Sequence, residues 1–249
     1  MRRSLRFRSE TPDPISGNVP LVPDTGYFST GYFGGSYFPP MPPSPHRQAL
    51  AHLRKVDPVL ATIIDRVGPC RLEPRRTGTH YDALVRSIVF QQLSGKAAST
   101  IHRRFCEIYP AKRPRAERVL STEDAALRAA GLSRQKIGYL RDLSARVADG
   151  SLPLAHLGRL PDDAIIEHLV QVKGIGRWTV QMFLMFRLGR PDVLPELDLG
   201  VQTAIQRAYG LKQRPTPKDV LRIGEPWRPY ASIASWYLWR SLENGDGQA

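Results

Sequence analysis

A segment rich in glycine and proline ends on carboxylates, the residues of this chain best suited to chemistry. The run from Arg190 to Glu196 contains two prolines, which disfavour a helix, and Asp198 follows it closely. A carboxylate can act as a base or as a fixed negative charge beside a reacting group. Aspartate is also a common helix N-cap, so spacing alone leaves a purely structural role open for Asp198. Asp192 and Glu196 are rival carboxylates in the same segment, and Glu196 is the stronger of the two.

A second candidate site lies just before this segment, in residues 169–180. One apolar helical pattern ends there, the chain turns at Gly174-Ile175-Gly176, and another helix begins at once. Two glycines around one apolar residue let the backbone come close to something outside the protein. The first amide N–H groups of the new helix lack partners inside it, and the helix dipole adds positive potential. With Lys173 and Arg177 beside it, this end suits a phosphate and looks like a helix-hairpin-helix, which grips the DNA backbone.

The positions of the two candidate sites along the chain predict that they meet in space. A helix from Trp178 to Leu188 carries the chain away by about 16 Å, at about 1.5 Å per residue. Seven extended residues then cover roughly 23 Å, at about 3.3 Å each. If this segment runs back along the helix, Asp198 arrives beside the hairpin, at the start of the next helix.

Composition narrows the class of protein. The 249 residues carry a formal net charge of +13, which favours a polyanionic partner such as nucleic acid over a merely soluble basic protein. Two cysteines cannot build a four-cysteine zinc or iron–sulfur site, and no cluster has metal-ligand spacing, so we expect no catalytic metal. There is no apolar run of roughly 20 residues and no secretory signal. We therefore expect no membrane partner and a cytoplasmic location (the bacterial nucleoid), or another intracellular one with DNA.

Two regions differ along the chain. Residues 1–45 are of low complexity and predict a disordered tail. From His46 onward, apolar residues recur with helical spacing and no alternating strand pattern appears, which predicts an all-α fold. Ser133 and Thr216 are expected to cap helices, and Ser121 is expected to open a capping box.

Five blocks of this chain, in order, resemble the helix-hairpin-helix–Gly/Pro–Asp superfamily of DNA glycosylases, and within it the compact members of the 3-methyladenine DNA glycosylase II (AlkA) family. The blocks are Ile88–Ser94, Gly131–Leu140, Val172–Thr179, Pro191–Gly200 and Pro226–Trp236. The similarity covers residues 46–243. It implies two helical subdomains with the active-site cleft between them, one formed by residues 46–79 and 205–243, the other by residues 80–204.

The resemblance assigns roles to single residues. Asp198 matches the catalytic aspartate, which stabilises the positive charge on the sugar as the base leaves and can help to orient or deprotonate water. Relatives that also cut the strand place a lysine where this chain has Trp178, so we expect no lyase activity. Trp178 instead suits stacking on a cationic alkylated base. Trp236 matches a second pocket tryptophan, although a tryptophan on a helix is more often part of a core. Met182 and Leu199 stand where relatives often have tyrosine.

The loop from Gln91 to Ser94 lies where the resemblance places the wedge that fills the gap left by a flipped base. Gln92 or Leu93 is the expected wedge and Gln91 is expected in the pocket, whereas the alternative is a plain polar turn. At the hairpin, Lys173 to Arg177 together with Thr179 are the expected DNA contacts. The resemblance also implies a structural Na⁺ or K⁺ ion on the backbone carbonyls of Val170, Val172 and Ile175, and no other cofactor.

The resemblance therefore implies a monomeric, monofunctional glycosylase that removes 3-methyladenine and 7-methylguanine from double-stranded damaged DNA. The sequence does not rank the damaged bases, because pocket shape depends on several separate segments. Two other interpretations stay open: a glycosylase for oxidised or deaminated bases, and a non-catalytic module that only binds DNA.

Overall fold

The computed structural model describes residues 46–243, which confirm the all-α prediction because they contain helices and no strand. The predicted tail, residues 1–45, lies outside the described residues. Within residues 46–243, every helix is too short or too polar to span a bilayer. The helices are α1 (Arg47–Val56), α2 (Pro58–Val67), α3 (His80–Phe90), α4 (Gly95–Glu107), α5 (Ala116–Ser121), α6 (Asp124–Ala129), α7 (Arg134–Ala148), α8 (Asp162–Leu169), α9 (Arg177–Phe183), α10 (Leu199–Ala208), α11 (Pro217–Gly224) and α12 (Ala231–Glu243).

Side-chain caps explain where several of these helices begin. Ser133 accepts a hydrogen bond from the Lys136 N–H at the start of α7, and Thr216 forms a capping box with Asp219 at the start of α11, as predicted. The capping box predicted for Ser121 is wrong. Ser121 is the last residue of α5, and its hydroxyl donates backward to the carbonyl of Arg118.

The reason for this difference is the packing of α5 against α7. Arg141 of α7 donates hydrogen bonds to the carbonyls of Val119, at 2.8 Å, and Thr122, at 2.5 Å, at the end of α5. These bonds supply donors to carbonyl groups at the end of α5, where the described backbone offers only the long 3.4 Å bond from the Thr122 N–H to Val119. Residues 116–121 therefore form a helix of their own, which the sequence pattern did not indicate.

The helices pack in two groups. Helices α1, α2, α10, α11 and α12 contact one another, and α3 to α9 form the second group through α3 and α7. The predicted subdomain boundary between residues 204 and 205 falls inside α10, which packs on α12 as a single helix. The division into two subdomains stays a prediction, and α10 belongs with the first group.

Asp57 ties the first group together. It is buried between α1 and α2, and its Oδ2 accepts hydrogen bonds from Trp227 Nε1, at 2.7 Å, and from the Tyr209 hydroxyl, at 2.5 Å. Its Oδ1 accepts the Leu60 N–H at 3.0 Å, so Asp57 is also the N-cap of α2. Burial and the charge of Asp57 both raise the pKa of Tyr209. Asp57 is thus a buried carboxylate with a wholly structural role.

The chain returns from the end of α9 as the prolines predict. Helix α9 continues into a π-helical turn, Leu184–Leu188, which ends at Gly189 with φ +70°. The following segment is fixed to the start of α12, because the Ser232 hydroxyl donates to the Arg190 carbonyl and accepts the Val193 N–H. These bonds determine where the segment ends.

Candidate active site

Asp198 lies beside the hairpin, at the place predicted from the length of α9 and the returning segment. Trp178 Nε1, in the first turn of α9, donates to Asp198 Oδ2 at 2.7 Å. Asp198 is 9 % exposed and also accepts the Val201 N–H on Oδ1 at 2.8 Å, as the N-cap of α10. Asp198 therefore both caps α10 and lies beside the hairpin.

Trp239 of α12 is the third donor to this carboxylate. Its Nε1 lies 2.8 Å from Asp198 Oδ1, and its ring stacks on Phe186 with the centroids 5.8 Å apart. Gly200 makes room for this indole, since a Cβ there would lie 3.0 Å from the Trp239 ring. Three N–H groups from three helices thus hold Asp198 by both oxygens.

The two rival carboxylates of the segment are each paired with an arginine. Glu196 is buried, and its two oxygens accept hydrogen bonds from Arg177 Nε at 2.8 Å and Gln181 Nε2 at 2.6 Å. Asp192 accepts hydrogen bonds from Arg228 and from the Ala231 N–H at the start of α12. Both residues fix the returning segment, and among the described contacts Asp198 is the one of the three carboxylates whose partners are uncharged N–H groups and no arginine.

The hairpin glycines serve different purposes. Gly174 has φ +80°, and a Cβ there would meet the Tyr139 ring at 2.2 Å, so the close approach at this position comes from the protein's own α7. At Gly176 a Cβ would meet nothing of the described structure within 4 Å. The predicted approach to an outside group is therefore available at Gly176 but not at Gly174.

The start of α9 offers unpaired donors to the outside. Gly176 makes no side-chain cap, and among the described residues the N–H groups of Arg177, Trp178 and Thr179 have no acceptor. The side chain of Lys173 is exposed on the same turn. The side chains of Thr179 and Ile175 are buried, so the DNA contacts predicted for them would have to use the main chain. Arg177 keeps 47 % of its side chain exposed while it bonds Glu196.

Asp142 of α7 holds the hairpin turn from behind. Its Oδ2 accepts the Lys173 N–H at 2.9 Å and Arg146 Nε at 3.1 Å. Burial raises the pKa of Asp142, but these two hydrogen bonds and the charges of Arg146 and Lys173 outweigh it, so the pKa is lowered. Asp142 was missed by the sequence analysis, because a carboxylate 31 residues away carries no local signal.

The predicted wedge loop adjoins the hairpin. Gln91 Nε2 donates to the carbonyl of Gly174 at 2.8 Å, and Lys136 Nζ caps the end of α3 through the carbonyls of Val89 and Gln91, both at 2.7 Å. Gln92 is exposed and has φ +56°, a conformation that side-chain-bearing residues rarely adopt. The loop is therefore a fixed projection beside the hairpin, and its wedge role stays a prediction.

The remaining predicted pocket residues lie on α12, on α9 and at the start of α10. Trp236 is buried on α12, one turn before Trp239, in edge contact with Tyr237. Met182 is half-buried, and Leu199 is 46 % exposed directly after Asp198. Phe186 is a residue of the candidate site that the sequence analysis missed, and Trp239 is one that it ranked below Trp236 and left out of the predicted site. The signal for Trp239 was its spacing of three residues from Trp236, which puts both on one side of α12.

The carbonyls predicted to hold a cation differ in their partners. In the described part of the chain, the carbonyl oxygens of Val170 and Ile175 accept no hydrogen bond, whereas that of Val172 accepts the Ile175 N–H at 3.0 Å. Two unpaired carbonyls on one turn fit a hard cation with oxygen ligands. Residues 46–243 contain no cluster of three His, Cys, Asp or Glu side chains that could hold a metal.

Comparisons with known proteins agree with this geometry. A family model described as HhH-GPD superfamily base excision DNA repair protein matches residues 85–229. The chain is 34 % identical to DNA-3-methyladenine glycosylase 1 of Schizosaccharomyces pombe, over 80 % of this chain and 89 % of that protein. The Bacillus subtilis protein YfjP is 37 % identical over 66 % of this chain, and the match spans 59 % of the length of YfjP.

A solved structure is also similar. The 3-methyladenine DNA glycosylase Mag1 of the same yeast, in complex with abasic DNA, superimposes with a TM-score of 0.72 at 33 % identity. The superposition covers 81 % of this chain and 100 % of that one.

We predict different costs for alanine at the two hairpin glycines. Gly174→Ala should lower the free energy of unfolding by about 1–3 kcal/mol, because φ is positive and the Cβ displaces the Tyr139 ring. Gly176→Ala should cost about 1 kcal/mol or less. Urea unfolding measures both, and Tyr139→Ala in the Gly174→Ala background should recover part of the loss. Equal losses at the two glycines, or no recovery, would contradict the assignment of Gly174 to packing.

Proposed function

This chain belongs to the HhH-GPD superfamily of base excision DNA repair proteins, and on that premise we propose that it is a monofunctional DNA glycosylase for alkylated bases. It hydrolyses the N-glycosidic bond of 3-methyladenine and 7-methylguanine in duplex DNA and leaves an abasic site. The observation that carries the proposal is the Asp198 carboxylate, held beside the hairpin by three N–H donors.

In this proposal, the hairpin binds the DNA backbone. Unpaired N–H groups at the start of α9, with Lys173 and Arg177 beside them, suit one backbone phosphate and carry no base preference. The target nucleotide must leave the stack before its glycosidic bond is accessible, at a cost of a few kcal/mol. Gln92 or Leu93, on the loop bonded to the hairpin, would fill the gap.

The bonding of Asp198 favours an electrostatic role in the reaction. A carboxylate accepts about four hydrogen bonds, and three are already donated by Trp178, Trp239 and Val201. A negative charge stabilises the sugar cation without a free lone pair, since the interaction acts over distance. Orientation or deprotonation of the attacking water would have to use the remaining position.

The same site favours a base that leaves easily. Alkylation at N3 or N7 makes a purine cationic, so the base departs without first receiving a proton. A neutral base needs an acid, and the nearby carboxylates Asp192 and Glu196 are each bonded to an arginine. Trp178 also offers an electron-rich ring beside Asp198, which attracts a cationic base. Met182 and Leu199 are less electron-rich, so oxidised or deaminated bases are the second substrate class to test.

A monovalent cation at the hairpin is part of the proposal. The carbonyls of Val170, Val172 and Ile175 would hold it, and it would add positive charge for the DNA phosphate. We propose further that the enzyme is a monomer and that it acts on double-stranded DNA. Its location would then be inside the cell, together with that DNA.

Replacing Asp198 by asparagine tests the catalytic role. Asp198→Asn should slow release of free base by on the order of 10³-fold, because the charge opposite the sugar is lost, while duplex binding persists. The measurement is single-turnover release from a panel of duplexes, each with one lesion. Asp57→Asn is the matched control: it removes the charge of a buried, capping carboxylate in the first group of helices and should lower stability but not the rate per folded molecule. Unchanged release by Asp198→Asn would contradict the assigned role. Failure of the wild type on every lesion would favour a DNA-binding module.

Trp239 is predicted to act as a positioning residue. Trp239→Phe removes one N–H donor from Asp198 and should slow base release by about 10-fold at saturating enzyme, with the duplex dissociation constant unchanged. Trp227→Phe removes the equivalent donor from Asp57 and should cost similar stability, about 1–3 kcal/mol, without slowing release. If both variants release base at the same rate, Trp239 has only a packing role.

The absence of lyase activity is tested by borohydride trapping. An indole at position 178 cannot form an imine with the sugar, so borohydride should trap no covalent complex with damaged duplex. Reactions should stop at the abasic site until alkali is added, when the strand breaks. A trapped protein–DNA complex would show that another amine, such as Lys173, attacks the sugar.

A further inference from the structure

Two arginines and a histidine lie together at the end of α3. The Arg86 guanidinium carbon is 3.6 Å from the centroid of the Phe90 ring, and Phe90 directly precedes the wedge loop, Gln91–Ser94. The Phe90 ring also makes an edge contact with His102 of α4, at 6.1 Å between centroids. Arg75 is exposed in the segment before α3, and its charge adds to burial in lowering the pKa of both Arg86 and His102. This cluster therefore adjoins the loop that is predicted to face bound DNA.

The side chains of Arg75 and Arg86 have N–H donors that are not engaged by the described part of the protein. Within residues 46–243, neither the Arg86 nor the Arg75 guanidinium donates a hydrogen bond or forms an ion pair. Arg86 is half-buried, and burial together with the charge of Arg75 lowers its pKa to about 10, so it remains charged at neutral pH. A guanidinium has five N–H donors, and a partly desolvated charge without an acceptor is costly. The arrangement thus calls for an anion.

The charges of two arginines act on His102 against that of one carboxylate. Burial, followed by the charges of Arg86 and Arg75, lowers the pKa of His102 to about 4. Asp82 opposes this effect, but its Oδ2 is engaged by the Thr79 N–H and hydroxyl in the capping box of α3. His102 is therefore neutral near pH 7. Its ring nitrogens lie 3.8 and 3.9 Å from Cys106 Sγ, a weak partner that a phosphate would replace at the one ring N–H.

The segment that carries Arg75 is fixed in place. Arg187, in the π-helical turn after α9, donates hydrogen bonds to the carbonyls of Arg75 at 2.7 Å, Thr77 at 2.9 Å and Gly78 at 2.6 Å. The Arg75 N–H in turn donates to the carbonyl of Phe186 at 2.7 Å. Rigid support of this kind suits a binding site, because little freedom is lost when the ligand arrives.

We propose that Arg75, Arg86 and His102 form a second binding site for a phosphate of the DNA backbone, distinct from the hairpin and next to the wedge loop. This inference rests on the proposed function, since it takes damaged duplex DNA as the ligand. The planar guanidinium matches two phosphate oxygens at once, and two such groups with one ring N–H complete the donor set. The site holds the duplex next to the wedge loop, where flipping of the nucleotide distorts the DNA.

The test is the salt dependence of DNA binding by the full chain. Arg86→Gln and Arg75→Gln should each lower the slope of log K against log salt concentration by about 0.9, because one phosphate contact is lost. The ligand is a duplex with a stable abasic-site analogue, followed by fluorescence anisotropy. Arg86→Lys should restore most of the slope. Arg54→Gln is the matched control, because Arg54 is an exposed arginine paired with Asp65 on α2 and should leave the slope unchanged.

The outcomes separate this site from the glycosylase proposal. Unchanged slopes for both Arg75→Gln and Arg86→Gln would overturn the phosphate site. Slower base release at saturating DNA with an unchanged slope would also overturn it and would assign Arg86 to the base instead. If the wild type releases no base but the slopes fall as expected, the phosphate site stands and the glycosylase proposal fails. Because Arg75 is exposed, its variant tests the site even if Arg86→Gln does not fold.

Discussion

The hydrogen bonds to the Asp198 carboxylate are the constraint on which the rest of the site depends. Trp178 comes from the first turn of α9, Val201 from the first turn of α10 and Trp239 from α12. These donors meet only if the chain turns back after α9 and α12 packs on α10. Gly189, the bonds of Ser232 and the clamp of Arg177 on Glu196 all serve that path. The position of one carboxylate thus accounts for much of the architecture around the hairpin.

A comparison of Asp57 with Asp198 shows why a buried, capping aspartate need not be only structural. Each caps a helix, and each accepts an indole N–H. Asp57 is enclosed by Tyr209 and Trp227 inside one group of helices, so its charge reaches no ligand. Asp198 lies between exposed Leu197 and Leu199, next to the unpaired amides of α9. The two carboxylates have the same chemistry, and their accessibility to a ligand determines their different roles.

Much of this organisation could be predicted from the sequence because the signals are local. Helical spacing, the caps at Ser133 and Thr216 and the reach of the returning segment each depend on neighbouring residues. The failures involve distant partners. The close contact of Gly174 is with Tyr139 of α7, the hairpin is held by Asp142, and α5 exists because Arg141 satisfies its carbonyls. Tertiary contacts of this kind leave no period or motif in a single sequence.

Trp178 links the manner in which Asp198 is held to the kind of reaction the site can perform. In relatives that cut the strand, the resemblance places a lysine at this position, where it attacks the sugar. Here the indole donates to Asp198 at 2.7 Å, so the residue is already committed to the carboxylate. A lysine there would remove this donor and place an ammonium group beside the carboxylate, where the two would pair. Strand cutting by a residue at position 178 would therefore require more than one substitution, because the site would need both a free amine there and a new way to hold Asp198. In the proposed function, the hydrogen bond that positions the carboxylate thus also disfavours an imine at position 178.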